Sequence, residues 1–177
     1  MKHDSNIQIL SIFIFVLILI PLKTVCQNVD WTDSSYFWKG HLDKDTLSIS
    51  LCRSRFNPSK HVLSSTGNIV VYSTSGEHPV IDRIDEHDIW GSEYGYPKYE
   101  LSQFKVTLNG QPIQIPKTLY NDCYNPDVNG DGITIVVADD KKSVLVEMNS
   151  GDGANTYFVW WTISLNGKVT RYISLGE

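Results

Sequence analysis

Beyond residue 27 no stretch spaces its apolar residues as a helix does; apolar and polar side chains alternate in short runs closed by Gly, Asn, Asp and Pro. Alternation with period two is the mark of strands with one buried face. The clearest run is Phe104 to Ile115, where Asn109-Gly110 suits a two-residue type I′ turn because both central positions need positive φ. Closing the chain there sets Val106 opposite Ile113 and Phe104 opposite Ile115, both on one face. A second hairpin runs from Ile133 to Met148 around Asp139-Asp140-Lys141-Lys142 and pairs Val137 with Val144, Ile135 with Val146 and Ile133 with Met148. A third, Thr156 to Ser174 around Asn166-Gly167, places Trp161 against Tyr172 on one face and Trp160 against Ile173 on the other. Both its faces are apolar, which puts it in the middle of a sheet. Tyr36 to Leu42, Leu47 to Cys52 and Ile69 to Tyr72 add further strands. About eight or nine short, mostly antiparallel strands predict an all-β, single-domain β-sandwich, with a flattened barrel as the alternative.

The N-terminus breaks the pattern. A short start with Lys2 and His3, an apolar run from Ile9 to Leu22 and a more polar exit read as a secretory signal over residues 1–26, leaving residues 27–177 as the domain. The run is shorter than the roughly twenty apolar residues that span a bilayer. Thr24 and Cys26 put small side chains three and one residues before Gln27, which suits signal peptidase, so Gln27 is the expected new N-terminus. A lipoprotein anchored at Cys26 is the alternative, although Lys23 stands where such a box has leucine. The expected location is therefore secreted or periplasmic, with membrane attachment only if the signal is retained or Cys26 is lipidated.

Charge and cysteine count narrow the partners. The chain has 15 Lys+Arg against 20 Asp+Glu, which argues against a nucleic-acid partner held by phosphate neutralisation. Cleavage after Cys26 leaves Cys52 and Cys123, and an even pair in an exported chain predicts a disulfide between them. No Asn-x-Ser/Thr acceptor occurs, since Asn57 is followed by Pro58.

Two segments carry candidate chemistry. Asp127-Val128-Asn129-Gly130-Asp131-Gly132 resembles the opening half of an EF-hand or dockerin calcium loop, with oxygen ligands at alternate positions and a glycine for the sharp turn. The likeness stops there, because the twelfth position is Ala138 and not an acid. Pairing Ile133 with Met148 brings the 149–155 loop to the same end of the sheet, so Asp152 joins Asp127, Asn129 and Asp131 as a candidate ligand of a Ca2+ ion. The other segment is Trp90 to Tyr99, whose Trp90, Tyr94, Tyr96 and Tyr99 form an aromatic surface suited to a protein or carbohydrate ligand, unless the rings fold back to plug the end of the sandwich.

Asp82 to Asp88 is dense in carboxylates and carries His87, and Arg53, Arg55 and Lys60 surround Phe56 as a small basic spot. Gly-x-Ser-x-Gly, His-Glu-x-x-His, a P-loop and a papain-like cysteine context are all absent. The sequence thus points to an exported β-sandwich binding module, possessing no recognisable catalytic motif and requiring no cofactor, with calcium as an optional stabiliser. A small carboxylate-dependent hydrolase acting on polysaccharide, and an envelope lipoprotein, are the rival readings.

Overall fold

The computed structural model describes residues 34–65, 69–72, 76–92, 95–150 and 156–176. Strands follow one another as β1 (Ser35–Leu42), β2 (Asp45–Arg55), β3 (Leu63–Ser64), β4 (Ile69–Tyr72), β5 (Gly76–Pro79), β6 (Arg83–Ile84), β7 (His87–Asp88), β8 (Tyr99–Leu108), β9 (Gln111–Ile113), β10 (Ile133–Val137), β11 (Ser143–Ser150), β12 (Tyr157–Ser164) and β13 (Val169–Leu175). Two four-stranded antiparallel sheets, ordered β1-β2-β8-β9 and β10-β11-β12-β13, form a β-sandwich and not a closed barrel. Leu47, Ile49, Leu51, Phe104 and Val106 from the first sheet meet Val144, Val146, Met148, Val159, Trp161 and Ile163 from the second in one core. The Phe104 ring meets Trp161 edge-on, 4.9 Å between centroids, and the Trp161 indole N–H donates to the Leu119 carbonyl at 2.6 Å. Two small sheets, β3-β6-β7 and β4-β5, complete the described strands.

The hairpin of β10 and β11 pairs Ile133 with Met148, Ile135 with Val146 and Val137 with Val144, as its hydrophobic pattern requires. Between β8 and β9 the Asn109-Gly110 turn has positive φ at both residues, and Val106 faces Ile113. Pairing ends there, however. Ile115 is not laddered to Phe104; the chain leaves the sheet towards Pro116, and Ile115 packs against the core from the loop.

The third hairpin departs from expectation by one residue. Trp160 pairs with Tyr172 and Trp161 with Arg171. The loop is a three-residue one closed by Ser164 and Lys168, with Gly167 left-handed at φ 84° and Asn166 Oδ1 accepting the Lys168 N–H at 3.0 Å. Because side chains alternate, the slip moves Tyr172 from the core face to the outer face. β12 is central, as expected, while β13 forms the sheet edge.

The expected Cys52–Cys123 disulfide is not made: Cys123 is a buried free thiol. Alternation along β2 explains why. Leu51 points into the core and Cys52 to the other face of its sheet, where its Sγ lies 3.6 Å from Gln103 Oε1, whereas Cys123 belongs to the core between the sheets. Past Cys52 the β2–β8 register shifts, leaving Ser102 without a partner residue on β2. Its hydroxyl donates instead to the Cys52 carbonyl at 3.1 Å, so a serine occupies the bulge.

Candidate functional site

In the described parts of the segment, 90–92 and 95–99, Trp90 packs against the core and Asn125 ties the two parts together. Sitting at φ 46°, Asn125 accepts the N–H groups of Lys98 and Tyr99 through its side-chain oxygen, at 2.8 and 3.1 Å, and donates to the Gly91 carbonyl at 2.8 Å. Gly91 is left-handed, and a β-carbon there would lie 2.4 Å from the Tyr124 carbonyl. Trp90 bridges to Cys123 and packs against the core. Tyr99 is half-buried, with the Arg53 guanidinium 4.3 Å above its ring. Tyr94 lies outside the described residues. Tyr96 alone among the described aromatics of the segment is substantially open, at 49% exposure.

Tyr96 leads to a constellation that spans three separate parts of the sequence. Its ring stacks on Phe56 with centroids 6.4 Å apart, and Phe56 stacks in turn on His61 at 4.6 Å. The His61 imidazole is held on both sides: Nδ1 lies 2.7 Å from Asp85 Oδ2 and Nε2 lies 2.9 Å from Glu100 Oε2. Asp85 sits in the turn between β6 and β7, where it and Glu86 both have positive φ, at 52° and 68°. Its main-chain N–H donates to the Val62 carbonyl and its Oδ1 accepts the Val62 N–H, each at 2.8 Å, so the side chain extends the β3–β6 ladder by one pair. Burial raises the Asp85 carboxyl, but the Val62 N–H and the imidazole outweigh it and hold the group below its usual value. The histidine clamped by carboxylates is therefore His61, while His87, the one inside the acidic run, is exposed on β7. The imidazole thus bridges Asp85 and Glu100, one ring nitrogen facing each carboxylate.

The 127–132 loop closes on its own hydrogen bonds. Asp127 Oδ1 accepts the Asn129 N–H at 3.1 Å and the Gly132 N–H donates to the Asn129 carbonyl at 3.0 Å. Gly132 is required for close approach, since a β-carbon on it would lie 2.2 Å from the Asp127 carbonyl oxygen. Asn129 and Asp131 are exposed and Asp127 is half-buried. The register that brings this loop to the end of β11 is present, with Pro126 bridging to Ser150. Asp152 lies outside the described residues, and among the described residues no three His, Cys, Asp or Glu side chains are placed to hold a metal.

A second aromatic surface lies on the outer face of the β10–β13 sheet. Phe158 and Trp160 stack with centroids 5.8 Å apart and planes 17° apart, and Trp160 meets Tyr172 across the strands at 5.5 Å and 32°. The Trp160 indole N–H donates to Glu147 Oε2 at 2.9 Å, which fixes the middle ring. Tyr172 is 66% exposed and Val136, two strands beyond Trp160 on the same face, is 50% exposed. Thr162, Thr170 and Asn149 border the row and are exposed. Phe158 and Trp160 share a face by strand alternation alone, but Tyr172 joins them only through the slip at Asn166-Gly167, which the sequence pattern did not show.

No family model, no curated protein and no solved structure matches this chain.

Proposed function

We propose that the chain is a binding module whose contact surface is the row Phe158, Trp160 and Tyr172, and that its ligand is a saccharide. The row is the observation that carries the reading: three rings on the outer face of a sheet, the middle one fixed by Glu147 and the last one largely open. Aromatic rings offer wide apolar contact at a low entropy cost, since each has only two side-chain torsions to fix. The apolar C–H face of a pyranose suits such rings, and its hydroxyls find partners in the exposed Thr162, Thr170 and Asn149 and in the Glu147 carboxylate. A sheet face is also a fixed platform, so little loop ordering opposes association. An exported location, as the N-terminal residues suggest, would bring the module to envelope or extracellular glycans.

The test is affinity electrophoresis and titration calorimetry with soluble β-linked glucan and N-acetylglucosamine oligosaccharides. Trp160→Ala and Tyr172→Ala should each weaken binding by at least about tenfold, the equivalent of roughly 1.4 kcal/mol. Tyr172→Ala should leave stability within about 0.5 kcal/mol, as for other surface changes. Tyr96→Ala should leave saccharide binding intact. Loss of binding on Tyr96→Ala with retention on Tyr172→Ala would move the site to the Phe56 end, and capture of a protein in place of any glycan would overturn the ligand class.

A further inference from the structure

We propose that His61, held between Asp85 and Glu100, is a proton-operated clasp that fastens the small β3-β6-β7 sheet to β8 and releases it when the imidazole loses its charge. Donor count separates the two charge states of the ring. A charged imidazole has two N–H donors, one for each carboxylate, while a neutral imidazole has a single N–H and a lone pair on the other nitrogen. With carboxylate oxygens at 2.7 Å from Nδ1 and 2.9 Å from Nε2, only the charged ring satisfies both. In the neutral ring one nitrogen lone pair faces an anionic oxygen, and that contact becomes repulsive.

The partner that lets go is Glu100. Asp85 keeps the Val62 N–H on Oδ1 at 2.8 Å and the main-chain bond back to Val62 whatever the state of the ring. Among the described residues, Glu100 has on its other oxygen the Ser54 hydroxyl, at a long 3.5 Å. The neutral ring thus retains Nδ1–H for Asp85 and turns its lone pair to Glu100. Glu100 also lines a groove of about 390 Å³ with Ser54, Arg55, Phe56, Asn57, Pro58 and Lys60, so its release frees a carboxylate at that groove. The ionisable groups around the ring can be sorted. Tyr124 stays neutral, since burial and then the nearby Asp85 and Glu100 raise its phenol. Lys60, which precedes His61, and Arg55 are the basic side chains at the groove. His87 also acts on Asp85, so it needs its own control.

The experiment follows by NMR, in the whole chain from about pH 5 to about pH 8, the ring nitrogens of His61 and the side-chain rotamer of Glu100 read from three-bond couplings. Both ring nitrogens should be protonated at the acid end. The Glu100 couplings should pass from those of one fixed rotamer to averaged values as the ring loses its second proton, with the same midpoint, while Val62 amide protection, held by Asp85, stays as it was. His61→Gln, which carries no charge at any pH, should remove the change, and His87→Gln should retain it. Glu100 couplings that stay constant while the His61 ring loses its proton would overturn the proposal, as would loss of the effect in His87→Gln. If His61→Gln does not fold, coincidence or separation of the two wild-type midpoints decides.

Discussion

Arg171 and Asp122 make a buried ion pair at the edge of the sandwich: the guanidinium of Arg171 on β13 donates to the carboxylate of Asp122, whose side chain is 6% exposed. Burial opposes the charge on Arg171 and Asp122 restores it, leaving the guanidinium above its ordinary value. Removing one partner strands the other charge away from water. Arg171→Met should therefore destabilise by about 3 kcal/mol, in the range for broken buried pairs, measured by urea unfolding. Arg171 also precedes Tyr172 on β13, so the pair fixes the strand that carries the most open ring of the outer row. A loss below about 1 kcal/mol would mean that water reaches Asp122 and that the pair is a surface one.

Cys123 gives a separate check on the core. Its thiol is pushed well up, first by burial and then by the Asp122 charge, with Arg171 opposing, so it should resist alkylation in the native state and react promptly in denaturant. Cys123→Ser should cost about 1 kcal/mol or more by burying a hydroxyl. Because Cys123 is not in a disulfide, the difference between wild type and variant should be the same with and without reductant. A larger difference under oxidising conditions would restore a bridge to this residue.

Sequence pattern reached some elements and missed others for reasons visible in single residues. The Ile133–Met148 hairpin was legible because one face is apolar and the other polar, so only one register buries the right side chains. The last hairpin was not, because Trp160 and Trp161 make both faces apolar and Asn166-Gly167 serves a three-residue loop as well as a two-residue one. The pattern then has nothing to choose with. The His61 clamp was beyond local reading, since its partners are 24 and 39 positions away. Of its three members only Asp85 fell in a segment the sequence singled out, the acidic run; His61 and Glu100 each stand one residue beyond the basic spot and the aromatic segment, and their meeting depends on how β6 and β8 are placed.

The 127–132 loop should hold its shape without a cation. Asp127 Oδ1 is already engaged by the Asn129 N–H and the Gly132 N–H closes the turn on the Asn129 carbonyl, so the loop needs no added ligand to be ordered. Millimolar calcium should leave the unfolding temperature unchanged, and Gly132→Ala should lower it, since the added carbon cannot fit against the Asp127 carbonyl. A calcium-dependent rise that Asp131→Asn abolishes would instead mean that Asp131 and the neighbouring loop hold an ion that binds the native state.

Asp85 sets the acid limit of the clasp. Its folded pKa is below its ordinary value of 3.8, because the Val62 N–H and the His61 ring together outweigh the opposing effect of burial. A carboxyl depressed in the folded state contributes stability that is complete above its unfolded pKa and is lost as pH falls through the folded one. The contribution should therefore be intact at pH values above about 5 and decline below about 4. Asp85→Asn lowers the unfolding temperature near neutrality, since a neutral amide holds the imidazolium less well, and the gap to wild type should close as pH is taken down towards about 2. Thermal unfolding of both proteins across that range measures it. A gap that stays constant at acid pH would mean that Asp85 acts through the geometry of its left-handed turn and not through its charge.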